Sequence, residues 1–376
     1  MGDLPEPQRS RAGEIAFRRL SLTGFRNFER LVFEPCPRLN VIAGNNGQGK
    51  TSLLEALYYV ATTRSFRSER MAALVRHGAS EAWVKAQISE GSHAREQRAG
   101  IVRGARRITI DGKKPERLVA YAQRTPVVAF HPGDLELVSG PESLRRLLLD
   151  RVLLFIDAAS YERKARYERA MKERKRALDE RGERAPDLDA FETLAAQEGA
   201  RLQTARGNAA RELAVQLGPL FADLSHRTLG LDVRYVPGGT EDVGAFQREL
   251  QQRRHIDRIR LSATFGPGRD QLELAIDGRA ARTHASQGQQ RILTLALKLA
   301  ELECIARARN LAPVLLLDDV SSELDPTRTG AVYSVLSNSQ SQIFVTTTRP
   351  ELFPTPSAHA SERRDFVIVS GEIHGA

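Results

Sequence analysis

The sequence predicts an α/β protein that combines a parallel or mixed sheet core with an antiparallel β lobe and a short helical hairpin. Three observations support this fold class. A short aliphatic strand at residues 39–43 runs through a glycine-rich loop into a helix at 52–62. Residues 80–131 alternate apolar and polar positions between turn signals, which is typical of antiparallel strands. Residues 143–220 repeat apolar positions every three or four residues, which indicates helices that pack along one stripe.

The individual elements follow in chain order. Two strands are predicted within residues 15–43, separated by a turn at Arg26-Asn27. After the helical stretch, a long helix is predicted to begin at Ser286. Further strands are predicted at 231–235, 271–276, 314–317, 342–346 and 366–369. The run at 314–317 is entirely aliphatic, which is typical of a buried parallel strand.

The helical stretch begins with a highly charged segment. Residues 161–184 hold ten Lys or Arg and six Asp or Glu, with a thin apolar seam. A break between Gly182 and Asp187 is suited to a turn and a new helix, whose apolar stripe continues to Leu213. We expect two antiparallel helices of about 25–30 residues, which would form an arm of roughly 40 Å. An ordinary helical subdomain is the alternative.

Composition limits the possible classes of protein. The chain has 376 residues, of which 41% are hydrophobic and 27% charged, as expected of a folded soluble protein. Lys and Arg number 56 against 47 Asp and Glu, which gives a net charge of +9 and suits a polyanionic partner such as nucleic acid. A generally basic, Arg-rich proteome would produce the same surplus.

Neither a secreted nor a membrane protein is expected. Cys36 and Cys304 lie far apart without CxxC spacing, so we predict neither a disulfide framework nor a zinc site. The longest apolar stretch, 147–156, is interrupted by Asp150 and Arg151 and is too short to span a bilayer. We expect a cytoplasmic protein with no membrane partner.

The glycine-rich loop has the pattern GxxxxGK[ST] of phosphate-binding loops. It comprises Gly44, Asn45, Asn46, Gly47, Gln48, Gly49, Lys50 and Thr51. Glycines let the backbone curl so that its N–H groups face phosphates, and the following helix adds the positive end of its dipole. Lys50 is predicted to reach the β- and γ-phosphates of ATP, and the Thr51 hydroxyl to bind Mg²⁺.

A second acidic motif follows the strand at 314–317. Asp318 is predicted to hold Mg²⁺ beside the phosphate loop, since a strand that ends in an acid places a carboxylate at that edge of a parallel sheet. Asp319 comes one residue later, where a base or a group that positions water is needed. We therefore predict Lys50, Asp318 and Asp319 as the catalytic residues.

The start of the long helix carries a third motif. Ala285-Ser286-Gln287-Gly288-Gln289 resembles the LSGGQ signature of ABC-type ATPases, with Gln287 in place of the first glycine. Ser286, Gly288 and Gln289 would form a second anion site from a hydroxyl, a backbone N–H and a helix N-terminus. In that architecture two head-to-tail chains cap each other's ATP. The alternative is a plain serine N-cap followed by glutamines.

Two further segments complete the comparison with ABC-type ATPases. Ser322-Glu323-Leu324-Asp325 resembles the D-loop of these enzymes. Where they usually offer a histidine to the γ-phosphate, this chain has Thr346-Thr347-Thr348. Either a threonine hydroxyl substitutes for that histidine or the sensor is absent.

Together these residues resemble the RecF family of bacterial DNA-repair ATPases. Phe25-Arg26-Asn27-Phe28 is similar to the FRNF segment of the family, and residues 132–150 resemble its first signature. Residues 317–325 with Arg328 resemble its second signature, and the resemblance spans roughly 15–348. The departures are Gly133 in place of an acid, Leu148 in place of an aromatic, and Gly268 and Gln271 in a GPHRDD-like segment; no role is carried over to these four side chains.

The resemblance implies an ABC-type P-loop ATPase head with an abbreviated arm. ATP would dimerise the head around single-stranded DNA or gapped single-strand/duplex junctions, and slow, DNA-stimulated hydrolysis would release it. RecO and RecR are the implied partners, with RecA loading as the outcome. We expect a flexible tail at 1–14, the head at 15–142 and 229–376, and the arm at 143–228.

Basic residues near the phosphate loop are candidates for DNA contact. Positive side chains can neutralise backbone phosphates without reading bases. The candidates are Arg64, Arg67, Arg70, Arg76, Arg103, Arg106, Arg107, Lys113 and Lys114.

Three other classes of protein share some of these motifs. A transporter ATPase subunit would need a membrane partner and gives no reason for the arm. An SMC-like or Rad50-like head would carry arms of hundreds of residues, whereas fewer than 100 lie between Asp150 and the returning strands. The third class is a scaffold that binds ATP without hydrolysing it. The intact set of Lys50, Asp318 and Asp319 argues against this class, and a turnover assay separates the two.

Overall fold

A computed structural model describes residues 13–319, 340–352 and 362–375. The described residues fall into two compact units. The first unit comprises 13–129, 306–319, 340–352 and 362–375, and the second comprises 130–305. The division into a tail, two head segments and an arm stays a prediction.

Both units contain strands as well as helices. The strands are β1 (Gly13–Phe25), β2 (Phe28–Phe33), β3 (Leu39–Ala43), β4 (Glu81–Glu90), β5 (His93–Val102), β6 (Ala105–Ile110), β7 (Val127–Phe130), β8 (Leu231–Val236), β9 (Gln271–Ile276), β10 (Arg279–Ala280), β11 (Leu311–Ala312), β12 (Val314–Leu317), β13 (Ile343–Thr347), β14 (Arg363–Val369) and β15 (Glu372–Gly375). The helices are α1 (Lys50–Thr62), α2 (Leu118–Gln123), α3 (Glu136–Ser139), α4 (Glu142–Ile156), α5 (Ala159–Arg181), α6 (Leu188–Leu224), α7 (Val243–Gln252), α8 (Arg254–Ile259), α9 (Ala281–His284) and α10 (Gln287–Arg309).

Two sheets form the first unit. One has the order β11-β1-β4-β5-β6 with β2 on β1, and its long strands are antiparallel. The other has the order β15-β14-β3-β13-β12-β7, in which β14, β3, β13 and β12 run parallel. Helix α1 packs against strands of both sheets and buries Leu53, Leu54, Leu57 and Val60 completely. The predicted parallel or mixed core and antiparallel lobe are both confirmed.

Strand β2 was missing from the sequence prediction, which gave two strands in 15–43 where the structure has three. Phe25 pairs with Phe28 across a two-residue turn, so β1 and β2 form a tight hairpin. The core side of β2 carries Phe28, Leu31 and Phe33, and two consecutive exposed residues separate the first two. This break in the alternation hides the strand from a period-two pattern.

The second unit contains the predicted pair of long helices. Helix α5 has 23 residues and α6 has 37, and ion pairs at Arg166–Glu198 and Arg174–Glu192 show that they run antiparallel. Helices α7 and α8, which were not predicted, pack onto this pair. Arg174 is only 2% exposed and binds Glu192 at 2.9 Å and Asp257 of α8 at 2.8 Å. The hairpin is therefore thickened by a third helical layer.

Candidate nucleotide site and signature helix

Three parallel strands of the first unit end at the same edge of their sheet. Strand β13 lies between β3 and β12, with Thr346 beside Ile42 of β3 and Val345 beside Leu317 of β12. The phosphate loop follows β3 and Asp318 follows β12. Because the carboxyl ends of parallel strands meet at one edge, the two predicted motifs come together there.

Positive φ angles shape the phosphate loop. Gly44, Gly47 and Gly49 have φ of 147°, 82° and 116°, which side chains rarely tolerate. A Cβ on Gly49 would lie 2.6 Å from the Nδ2 atom of Asn27. The loop therefore needs glycine at 49 for both its conformation and its neighbour, and α1 begins directly after it.

Lys50 is folded back over the loop. Its Nζ donates to the carbonyl oxygens of Gly44 at 2.6 Å and Asn45 at 3.0 Å. Burial lowers the pKa of Lys50, while the charges of Asp319 and Asp318 oppose that shift. The ammonium group is thus held over the loop and next to the acidic pair, where a phosphate chain would need it.

Asp318 is the centre of a hydroxyl–carboxylate network. Thr51 Oγ1 donates to Asp318 Oδ1 at 2.9 Å, and Thr346 Oγ1 donates to the same oxygen at 2.7 Å. The Thr346 hydroxyl also accepts the backbone N–H of Asp319 at 3.0 Å. Asp319 has φ of 52°, a strained value for a non-glycine residue. Thr346 is fully buried and ties both acids to the central strand.

A cleft of about 460 Å³ opens beside this network. It is lined by Asn46, Gly47, Gly49, Lys50, Thr51, Ser52, Asp318, Asp319 and Thr346, together with Arg26, Asn27, Arg67, Ala73, Val75 and His77. The last six residues come from the β1–β2 turn and the segment after α1. They were not predicted as nucleotide residues, although the FRNF-like segment supplies two of them.

The β1–β2 turn and the segment after α1 form the second wall of the cleft, and buried Glu55 of α1 holds these two segments together. Arg26 donates to both Glu55 carboxylate oxygens at 2.6 Å, and Ser65 also donates to Glu55. The Ser65 hydroxyl in turn accepts the N–H of Arg67 at 2.9 Å. The phosphate-loop helix therefore orders the segment that brings Arg67 to the cleft. Arg67 was predicted only as a candidate DNA contact.

Gln48 faces away from the acids. Its Oε1 accepts the N–H of Ser370 at 2.5 Å, in the turn between β14 and β15, and its carbonyl oxygen accepts from Asn27 Nδ2 at 3.4 Å. The side chain thus anchors the loop to the neighbouring strands. Because its side-chain oxygen is engaged, only N–H groups of Gln48 are left for the phosphate-binding role predicted for it.

The signature segment lies in the second unit, at the start of the 23-residue helix α10. Ser286 Oγ accepts the N–H of Gln289 at 3.2 Å, and Gln289 Oε1 accepts the N–H of Ser286 at 2.8 Å. This reciprocal pair is a capping box, which satisfies two donors of the first turn. Ser286 and Gln287 are exposed, and Gly288 and Gln289 are half-buried. The helix start is therefore fixed locally and presented to solvent.

Further along α10, a buried ion-pair cluster fixes the helix within the second unit. Glu301 is 1% exposed and accepts from Arg151 at 2.7 Å and Lys298 at 2.7 Å. Burial alone would raise the pKa of Glu301, but Arg151 and Lys298 lower it to about 2. Arg151 belongs to α4, directly after the segment that resembles the first RecF signature.

A second buried network joins the remaining family-like segments. Arg206 of α6 binds both oxygens of Asp150, at 2.9 and 3.1 Å, and Asp270 at 2.9 Å. Burial is the largest influence on the pKa of Asp270 and raises it, although Arg206 opposes the shift. Asp150 and Asp270 thus stabilise the second unit through their ion pairs with Arg206. Leu148 is fully buried.

Several predicted residues lie outside the residues that the structure describes. These are Ser322-Glu323-Leu324-Asp325 of the D-loop-like segment, Val320 and Arg328. Among the candidate DNA contacts, Arg76 pairs with Glu29 at 3.3 Å and Arg106 is half-buried against Met71, while Arg64, Arg70, Arg103, Arg107, Lys113 and Lys114 are exposed. Within the described ranges, no helix combines the length and apolar character that crossing a bilayer requires.

Comparison with known proteins agrees with this geometry. The family model described as RecF/RecN/SMC N terminal domain matches residues 16–361. The DNA replication and repair protein RecF of Anaeromyxobacter sp. strain Fw109-5 is 39% identical over 88% of this chain and 91% of its own. The RecF protein of Myxococcus xanthus is 37% identical over 88% and 90%.

Solved structures extend the likeness to the whole fold. The recombination mediator protein RecF with ATPrS, described as part of the RecFOR pathway, matches with a TM-score of 0.86 at 26% identity, covering 97% of this chain and 100% of that one. The corresponding RecF–ATP structure matches with a TM-score of 0.85 at 28% identity, covering 97% and 98%. An Smc head from Pyrococcus furiosus shares the fold, with a TM-score of 0.56 at 16% identity over 96% of each chain.

The parallel sheet edge with its phosphate loop, the antiparallel lobe and the paired long helices define an ABC-type ATPase head of the RecF and SMC class. Within this class, two RecF proteins are 37–39% identical to this chain over 88% of its length. The chain belongs to the RecF family.

Proposed function

We propose that this protein is an ATP-dependent DNA-binding protein of recombinational repair that dimerises on ATP to clamp DNA. The observation that carries the proposal is the pairing of two half-sites in one chain. One is the cleft lined by Lys50, Thr51 and Asp318, and the other is the exposed capping box of Ser286. The RecF relatives are described as DNA replication and repair proteins, and one solved RecF structure as a complex with ATP.

ATP is the ligand that this cleft suits best. The phosphate loop would supply backbone N–H groups and the Lys50 ammonium to the phosphate chain. Thr51 and Asp318 offer a hydroxyl and a carboxylate oxygen 2.9 Å apart, and oxygen ligands are those that Mg²⁺ prefers. These two residues would hold the ion, which when bound would neutralise charge on the phosphates. The 460 Å³ cleft is within the range of nucleotide-sized pockets.

Hydrolysis would depend on Asp319 and Thr346. Asp319 would orient the attacking water, and Thr346 would act as a positioning residue because its hydroxyl binds both Asp318 and the Asp319 backbone. A short aspartate reaches less far than a glutamate, so we expect weak hydrolysis that DNA stimulates. Turnover of many ATP molecules per second by the purified protein without DNA would contradict this expectation.

The second half-site would act on the nucleotide of another copy. Ser286, Gly288 and Gln289 lie at the positive end of a long helix, where an anion is stabilised. The capping box would pre-orient this end before the second chain arrives. An ATP-dependent homodimer follows, with each triphosphate enclosed by the phosphate loop of one chain and the signature helix of the other.

DNA is the polyanion proposed for the net charge of +9. The preferred DNA would be single-stranded or a gapped single-strand/duplex junction, where RecO and RecR would act with this protein to load RecA. The cytoplasm is the proposed location. These assignments rest on family membership and on the placement of the solved relatives in the RecFOR pathway.

Sedimentation with ATP, with ADP and without nucleotide tests the clamp. We expect wild type to dimerise with ATP alone and Ser286→Arg to stay monomeric while still binding ATP, because a long cationic side chain would obstruct the interface. Asp242→Arg is the control, since Asp242 is also an exposed N-cap of the second unit and accepts the N–H of Ala245 at 2.6 Å. Wild-type protein that stays monomeric at saturating ATP, or Ser286→Arg that dimerises normally, would reject the clamp.

A further inference from the structure

The antiparallel sheet of the first unit has one buried face and one outward face. Residues of β4 such as Ala82, Val84 and Ala86 are fully buried on the inner face. The outward face consists of cross-strand rows. Across β1, β4, β5 and β6, the row through Trp83 joins Thr23, Trp83, Gly100 and Arg107, and the next joins Ser21, Lys85, Arg98 and Thr109, while β2 adds Arg30 and Val32 at the far side of β1.

Trp83 lies flat across the glycine in its row. A Cβ on Gly100 would be 2.2 Å from an indole carbon of Trp83, so only glycine leaves room for the ring. A glycine inside a strand weakens it, and here it seats a large aromatic side chain against the sheet. Trp83 is half-buried and is the only tryptophan in the chain.

One cationic side chain covers the indole, and others lie on the same face of the sheet. The guanidinium carbon of Arg98 lies 3.8 Å from the centre of the Trp83 ring. Lys85 is 46% exposed and pairs with Glu96 of the following row at 2.5 Å, and Arg107 is exposed beyond Gly100. With Arg30 of β2, the two central rows thus contain four cations and no carboxylate, and Glu81 lies at the end of the face. This charge is complementary to a polyanion.

We propose that this outward face binds single-stranded DNA by stacking bases on the Trp83–Arg98 pair, while Lys85 and Arg107 contact the phosphates. Single-strand binding combines a basic surface with aromatic and guanidinium planes on which bases stack. A duplex hides its bases from such a platform, so the face selects unpaired strand. The inference rests on the proposed DNA-binding function and assigns it a surface and a mode of contact.

Neighbouring arginines of β6 provide a built-in control. Arg107 lies on the outward face, whereas Arg106 points to the other side of the strand, where its Nη2 lies 3.5 Å from Met71 Sδ. Adjacent strand residues face opposite sides of a sheet. Arg107→Ala should therefore weaken binding to single strands, and Arg106→Ala should leave it nearly unchanged.

Tryptophan fluorescence tests the proposal directly, because the signal comes from Trp83 alone. Titration of the wild type with an oligothymidine strand should quench it, and a matched duplex should quench it much less. Anisotropy of a labelled oligothymidine should show affinity roughly 5- to 150-fold weaker for Trp83→Ala. Trp83→Phe should retain part of the affinity and confirms that the fold tolerates the site.

The outcomes separate this inference from the proposed function. Binding of the labelled strand without quenching, or equal affinity of wild type, Trp83→Ala and Arg107→Ala, overturns the platform and leaves ATP-driven dimerisation untouched. Quenching by duplex equal to that by single strand also overturns it. A protein that dimerises with ATP but binds neither DNA form would overturn both the platform and the DNA-binding part of the proposed function.

Discussion

The nucleotide edge of the first unit and the start of α10 in the second unit differ in where their polar groups find partners. At the edge, Thr51, Asp318 and Thr346 bind one another across two strands and a helix. At the start of α10, the side chains of Ser286 and Gln289 each accept the other residue's backbone N–H, and Ser286 is exposed. The first arrangement is completed by distant parts of the chain, and the second within one helical turn.

This difference matches the roles proposed for the two sites. The site proposed for Mg²⁺ and a phosphate chain needs several groups fixed in advance, and the fold supplies them from three segments. The helix end proposed to contact a second chain needs an exposed first turn on a helix that is fixed further along. Helix α10 is fixed by the cluster of Glu301, Arg151 and Lys298, which lies well away from the exposed first turn.

The largest effect should come from a change in that cluster, and it should be an effect on the free energy of unfolding. Glu301→Gln would leave the buried Lys298 and the half-buried Arg151 with too little negative charge, which should cost roughly 3 kcal/mol of unfolding free energy. Glu303→Gln is the matched control, because Glu303 is half-buried on the same helix and its loss should cost about 0.5 kcal/mol or less. Chemical unfolding followed by circular dichroism measures both, and equal stability of the two variants would refute the role of the cluster.

The same cluster predicts a pH dependence. The pKa of Glu301 is lowered to about 2 from an ordinary value of 4.5, so its contribution is complete above that ordinary value and is lost as the pH falls through about 2. The stability difference between wild type and Glu301→Gln should therefore shrink over this acidic range. A difference that stays constant down to about pH 2 would show that the carboxylate charge is irrelevant.

Lys50→Met tests whether the nucleotide edge of the first unit binds ATP through the phosphate loop. The variant loses a charged donor to the phosphates, so ATP binding should weaken roughly 10- to 150-fold, as expected for a charge-assisted hydrogen bond. Lys114→Met, at an exposed position in the loop after β6, should bind ATP normally. Calorimetric titration with ATP measures both. Unchanged affinity of Lys50→Met would contradict the assignment of the loop.

Thr346→Val tests positioning as distinct from binding. The variant keeps the shape of the side chain but loses the bonds to Asp318 and Asp319, so turnover should fall roughly tenfold and more Mg²⁺ should be needed, while ATP affinity without Mg²⁺ stays the same. Thr346→Ser should restore both readouts.

Thr294→Val is the control, because its buried hydroxyl oxygen makes no hydrogen bond within the described residues. If Thr346→Val behaves like Thr294→Val in turnover and in Mg²⁺ dependence, the threonine is only part of the core.

The smallest effect separates capping from ligand contact. Ser286→Ala and Asp242→Ala each remove an N-cap side chain and should each cost about 1 kcal/mol of local helix stability. Only Ser286→Ala should also weaken ATP-dependent association, measured by sedimentation. Equal ATP-dependent association of the two variants would show that Ser286 acts only as a helix cap.

The sequence predicted best where chemistry dictates residue identity. The phosphate loop, Asp318 and Ser286 stand at strand or helix ends where the pattern placed them, because glycines, a lysine and an acid are needed at fixed spacing. The network around Asp318 was not predictable, since Thr346 reaches it from a strand whose register only the fold defines.

The second wall of the cleft was missed for a similar reason. Asn27, Arg67 and His77 come from a tight turn and a loop, where no periodicity marks a buried or facing side. The buried role of Glu301 was also missed, because its partner Arg151 on α4 is 150 positions away. Long-range ion pairs of this kind leave no local pattern.

Mixing two defective variants tests most directly whether the ATP site is shared between copies. Lys50→Met spoils the phosphate loop and Ser286→Arg spoils the signature helix, so each alone should remain monomeric with ATP. A mixed pair retains one complete site, formed by the loop of one chain and the helix of the other. We expect energy transfer between differently labelled variants only when both are present with ATP. Absence of transfer in the mixture, or dimerisation of either variant alone, would contradict the shared site.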